Sequence, residues 1–119
     1  MQHEIHIKRV YEPASTGDGA RILVDRLWPR GLSKAHAALT LWFKDIAPTP
    51  ELRKWFGHDP ARFEPFRERY EAELAQNPQA VAQLLGYLAQ SDVTLLYAAH
   101  DKTCNHALVL ADFLRKVQP

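Results

Sequence analysis

The run Val93-Thr94-Leu95-Leu96-Tyr97-Ala98-Ala99 limits the possible folds more than any other stretch. It is short, continuous and apolar, as a strand covered on both faces should be. Three other stretches read as strands: Ile5 to Val10, a run from Ile22 through Trp28, and a third from Leu41 to about Ile46. Between them, helix starts are legible. Thr49-Pro50, Asp59-Pro60 and Asn77-Pro78 each place a capping oxygen before a proline. Proline suits the first helical position because its missing N–H had no partner there. Apolar stripes follow: Phe63, Phe66, Tyr70 and Leu74; then Val81, Leu84, Leu85 and Leu88; then Leu108 to Leu114 in a helix over about 105–117. Ser33 could cap a short helix through Ala38. Strands alternating with helices predict an α/β domain over residues 1–119. The expected architecture is Rossmann-like, a mainly parallel sheet of about four strands flanked by helices. Antiparallel pairing at an early edge stays open.

Composition excludes several function classes. The chain has 119 residues, 46% apolar and 24% charged, which is ordinary for one globular domain. A formal net charge of +1 excludes a strongly basic nucleic-acid tail and an acidic solvating protein. The charge is unevenly distributed. Residues 21–58 hold seven basic and three acidic side chains, and residues 59–101 hold three basic and seven acidic. No apolar run approaches the roughly 20 residues that span a bilayer. The start Met1-Gln2-His3-Glu4-Ile5 lacks the basic and apolar regions of a secretory signal, so a cytoplasmic location is expected. The one cysteine, Cys104, cannot form an intrachain disulfide. It is buried packing, a reactive thiol or a metal ligand.

Three constellations could carry chemistry. Asp25-Arg26-Leu27-Trp28-Pro29-Arg30-Gly31 sits where the second strand should end. Arg30, and with it Arg26, could aim guanidinium forks at a phosphate or carboxylate, whose paired oxygens they match. Alternatively, Asp25 and Arg26 make structural ion pairs and Trp28 fills the core edge. Lys44, Arg53 and His58 would add anion contacts; alternatively Lys44 and Lys54 face solvent and His58 is a cap. The third constellation is His100-Asp101-Lys102-Thr103-Cys104-Asn105-His106, between the most buried strand and the last helix. Ligands of open α/β sheets bind beyond the carboxyl ends of strands, and helix starts offer N–H donors to anions. Asp101 or Thr103 could cap that helix, and Asn105 could meet a ligand. His58 and His106 are the acid–base candidates, with Asp101 beside them. Cys104 is a candidate nucleophile if exposed and activated.

Several sharper readings fail on spacing. A Cys-dependent phosphatase loop needs Arg six positions after the Cys, where this chain has Leu110. A thioredoxin-type pair needs a second cysteine. His100, Cys104 and His106, with His58, are zinc-compatible residue types, but no paired Cys/His spacing of a zinc module occurs, so no metal and no cofactor is assigned. There is no Gly-rich phosphate loop. Residues 12–19, with Pro13, Ser15, Gly17 and Gly19, read as a mobile loop that could lie over a site.

The runs Val24-Asp25-Arg26-Leu27-Trp28-Pro29-Arg30-Gly31-Leu32-Ser33-Lys34 and Leu52-Arg53-Lys54-Trp55-Phe56-Gly57-His58-Asp59-Pro60 resemble the YeaO-like family of small bacterial proteins. Arg9-Val10-Tyr11, Leu41-Trp42-Phe43-Lys44-Asp45-Ile46-Ala47-Pro48 and Leu95-Leu96-Tyr97-Ala98-Ala99 extend the likeness over nearly the whole chain. The resemblance implies a cytoplasmic α/β domain and supplies no activity. The wider superfamily often opens its last helix with Cys-His-Arg. Here the place reads Cys104-Asn105-His106, so chemistry requiring that Arg is not implied. The leading expectation is binding of, or catalysis on, a small anionic ligand. The alternative is a nucleic-acid-binding domain using segment 21–58 with Trp28, Trp42 and Trp55. A third reading is a protein-interaction module built on the helix around Glu64 to Glu73, although Arg67/Glu71 and Arg69/Glu73 read more simply as intrahelical pairs.

Overall fold

The computed structural model of the chain describes residues 3–118. In chain order the elements are β1 (Ile5–Arg9), β2 (Ala20–Leu23), α1 (Lys34–Ala37), β3 (Leu41–Trp42), α2 (Pro50–Phe56), α3 (Phe63–Ala75), α4 (Pro78–Gln90), β4 (Val93–Tyr97) and α5 (His106–Val117). Short 3-10 turns cover Thr16–Asp18, Lys44–Ile46 and Pro60–Arg62. The strands form one sheet in the order β1-β4-β2-β3, and every pairing is parallel. The early antiparallel edge left open by the sequence does not form. β4 runs between β1 and β2, with Leu95 opposite both Ile7 and Ile22, and all five of its residues are buried.

The two faces of the sheet are covered unequally. Ile5, Ile22, Val93, Leu95 and Tyr97 pack with Phe56, Phe66, Tyr70, Leu84 and Leu110, so α2 to α5 share one face. On the other face, Val10, Leu23 and Leu96 meet Leu32 and Ala37, beneath the four-residue α1 and the chain leading into it. The side chains alternate across the pleat, which is why a single strand feeds both cores.

Several element boundaries differ from the sequence reading. The second strand pattern reaches Trp28, but β2 stops at Leu23. Val24 still donates to the Leu96 carbonyl, and the chain then turns at Asp25 to place Trp28 edge-on to Trp42. The third pattern yields only two strand residues before a 3-10 turn. Lys44 therefore lies on that turn, not on a strand. Ser33, Thr49 and Asp59 cap as expected, whereas the Asn77 amide donates to the Asp45 carbonyl instead. Asn105, not Asp101 or Thr103, caps α5 by accepting from Leu108 N–H. The i,i+4 pairs expected on α3 give way to one i,i+3 pair, Arg67 with Glu64, and to contacts with other elements. Arg67 pairs with Glu64 and Asp112, Lys116 reaches Glu71, Arg69 lies over Trp55, and Glu73 accepts from Thr49. α5, α2 and the residue before α2 come within reach of these side chains and compete for them with the i,i+4 neighbours. Residues 15–19 do not lie over a site. They pack at the amino ends of β2 and β4, where Asp18 is buried.

Candidate functional site

After β2 the chain leaves toward the face carrying α1, and after β4 it leaves toward α5 on the other face. Adjacent parallel strands whose connections diverge this way open a crevice at their carboxyl ends. The crevice here is a cavity of about 540 Å³. Phe56, Phe66, Pro48, Ala98 and Ala99 form its apolar part, and Tyr11, Trp28 and Pro29 add to its wall. Tyr11 donates its hydroxyl to the Arg30 carbonyl at 2.8 Å, tying the end of β1 to the loop after β2.

Seven of the nine residues expected at a site line this cavity: Arg26, Arg30, Arg53, His58, Asp101, Asn105 and His106. They serve differently. Arg26 is engaged, donating to the carbonyls of Pro48 at 3.4 Å and Ala47 at 3.2 Å. Asn105 is buried and its amide is used at both ends, by Leu108 N–H and by the Asp101 carbonyl. Asp101 Oδ1 accepts from Thr103 N–H, the Thr103 hydroxyl and Cys104 N–H. These bonds hold its carboxyl below the usual carboxylate range, helped by nearby His58. His58 is exposed and left-handed, as is Gly57 before it, so the end of α2 turns back toward the cavity.

Lys44 and Cys104 are not brought to the cavity. The Lys44 ammonium lies 4.1 Å from the centre of the Trp42 ring. Cys104 is half-buried against the main core. Nor do His58, His100, Cys104 and His106 gather as a ligand set. Among the described residues, the His/Cys/Asp/Glu side chains with ligand atoms within 4.8 Å of one another are Glu4, His6 and Asp92, at the opposite end of the sheet.

Arg30 and Arg53 stand apart from the other arginines. Arg9 and Arg26 bond backbone carbonyls, Arg21, Arg62, Arg67 and Arg115 pair with carboxylates, and Arg69 covers the Trp55 ring. Among the described residues, only Arg30 and Arg53 have no carboxylate, carbonyl or aromatic partner for the guanidinium. Both are exposed and both line the cavity.

The sequence reading did not select Asp25 as a site residue, although it singled out the turn that holds it. His106 Nε2 lies 3.1 Å from the Val24 carbonyl and 2.9 Å from Asp25 Oδ1. Both neighbours are acceptors, so Nε2 carries the proton, and a neutral ring keeps its lone pair on Nδ1. The N–H is aimed at Val24. Asp25 Oδ1 lies off that direction and is buried without a hydrogen bond, while Oδ2 accepts from Ala98 N–H at 3.0 Å. The sequence signal for Asp25 was an acid just beyond a buried strand. Its pairing with a histidine 81 positions later required the β2–β4 contact. Phe66 reads as core stripe, and only the tertiary structure shows it lining a cavity together with Phe56.

Among the described residues, no helix is long and apolar enough to cross a membrane. No solved structure is significantly similar to the chain. Among curated proteins it is 52% identical over 113 residues to the uncharacterized protein YeaO of Escherichia coli, covering 95% of this chain and 98% of that one. It is 42% identical over 110 residues to uncharacterized proteins of Mycobacterium bovis and Mycobacterium tuberculosis, covering 92% of each chain. A family profile described as "Inactive DUF488-N3 subclade" matches residues 4–118. On both counts the chain belongs to the YeaO-like proteins, within the inactive DUF488-N3 subclade.

Proposed function

We propose that the chain binds a small anionic ligand, bearing phosphate or carboxylate, in the cavity at the carboxyl ends of β2 and β4. The observation that carries this reading is the pair of partnerless arginines. Every other arginine is committed within the fold, and the two that are not stand on one cavity from different elements, the β2 turn and α2. Guanidinium forks match paired oxygens, and a pair of them suits an oxyanion. The description of the family as inactive favours binding over turnover. So does the position of Cys104 away from the cavity lining. The nucleic-acid reading has less support. The Trp28 and Trp42 indoles pack edge to face and donate to the carbonyls of Leu32 and Asp25, and Arg69 covers the Trp55 ring.

The test is a thermal-shift screen with inorganic phosphate, phosphate monoesters and small carboxylates, on wild type and the double variant Arg30→Ala/Arg53→Ala. A ligand at about 100 times its Kd adds roughly 2.7 kcal/mol to the folded state. We expect an anion-dependent rise in Tm for wild type that the double variant loses while its ligand-free Tm stays close to wild type. An unchanged rise in the double variant, or no rise with any anion, overturns the reading.

A further inference from the structure

We propose that the anion taken at this site is carried on a ring-sized apolar body, as in an aryl phosphate or an aromatic carboxylate, and is not a bare oxyanion. This inference rests on the anion-binding reading above and names its ligand class. The cavity presents both free cationic groups and accessible apolar surface. Arg30 and Arg53 are exposed and therefore stand at its mouth. Part of the lining comes from side chains of the core itself. Phe66 and Phe56, stacked at 4.3 Å, are only 1% and 4% exposed, so the accessible apolar surface comes from Leu27, which is 59% exposed, and from half-buried Trp28, Ala98 and Ala99. Ala98 and Ala99 belong to the wall, and their small side chains leave room that larger residues would fill. A volume of about 540 Å³ lies within the roughly 300–1,000 Å³ of sites that enclose whole small molecules. A bare phosphate held by the mouth arginines would leave this apolar surface wet. An aromatic ring attached to the anion would bury it, and removing that surface from water is what favours the larger ligand.

Isothermal titration of the full chain with two matched series tests the proposal: inorganic, methyl and phenyl phosphate, and acetate against benzoate. Burial of one ring face and edge predicts that each aryl anion binds at least about tenfold more tightly than its small counterpart. Ala99→Leu, which fills the cavity from its wall, should remove most of that advantage. Its circular dichroism and Tm establish that it folds, and the wild-type series stands independently if it does not. Equal binding of small and aryl anions overturns the ring-bearing ligand and leaves the anion site intact. Binding of no anion at all overturns both. Phenyl phosphate bound as tightly by Arg30→Ala/Arg53→Ala as by wild type also overturns the proposal, because the cavity would then be recognising the ring alone.

Discussion

Asp18 and Arg21 illustrate how much a residue's role depends on its neighbours. Asp18 is buried and accepts hydrogen bonds from Ser15 N–H, the Ser15 hydroxyl, the Lys8 ammonium and the Arg21 guanidinium. Burial alone would raise its pKa, but these four donors together outweigh it and hold the carboxyl far below its ordinary value. A depressed native pKa means that the unfolded chain binds more protons in acid. The stabilisation is therefore complete above the unfolded pKa of about 4 and is lost as pH falls toward the native value. Asp18→Asn leaves buried Arg21 without its counter-charge and should cost about 3 kcal/mol at pH 7, the low end for breaking a buried pair. Urea unfolding at pH 7, 4 and 2.5 should show the gap between variant and wild type narrowing with acid. A gap independent of pH would refute the assignment. The sequence places Asp18 in a segment rich in Ser, Gly and Pro, which reads as mobile. The four donors come from local turns and from β1 and β2, and only folding assembles them. In the same way Arg26, Arg30 and Arg53 look alike as sequence. The carbonyls of Ala47 and Pro48 commit the first and leave the other two free.

At the scale of elements, caps were the most legible feature because their chemistry is local. Thr49-Pro50 and Asp59-Pro60 start helical turns where expected. Asn105→Ala removes an α5 cap that is also buried and holds the Asp101 carbonyl. We expect a loss of about 1–2 kcal/mol, the upper part of the capping range, read by chemical denaturation. A loss within error would mean that the loop reorganises to cap α5 another way. Two glycines should respond in opposite directions. Gly19 has φ of 66°, and a Cβ there would lie 2.1 Å from the Asp92 carbonyl oxygen. Gly19→Ala should destabilise by more than about 2 kcal/mol from strain and clash. Gly86, within α4, faces open space, so Gly86→Ala should stabilise by about 0.5–1 kcal/mol. Finding the two variants equal in Tm would contradict this account. Strand ends were less legible than caps. The apolar runs continue to Trp28 and to about Ile46, but the strands end at Leu23 and Trp42 and the chain goes on to serve cavity wall and core.

For the molecule as a whole, the sheet order sets both stability and site. β4 is buried along its length and bonded on both sides, whereas β3 contributes two residues at an edge. Amide hydrogen exchange should therefore be slowest in Ile7, Ile22, Leu95 and Leu96, opening only with global unfolding. Residues 25–40, on the thinly covered face, should exchange by local opening at lower free energy. Uniform protection across both regions would contradict the unequal layering. The α/β class, the parallel sheet, most helices and the family followed from the chain itself, since local caps, a doubly buried strand pattern and long specific runs are written in consecutive residues. What the tertiary structure alone decided is which of those residues meet. The β1-β4-β2-β3 order sets the ends of β2 and β4 side by side. It thereby joins Asp25 to His106, engages one arginine of the turn and leaves Arg30 facing the same cavity as Arg53. Such contacts depend on long-range packing, where partners far apart in sequence compete for the same charged groups, and no local pattern records the outcome of that competition.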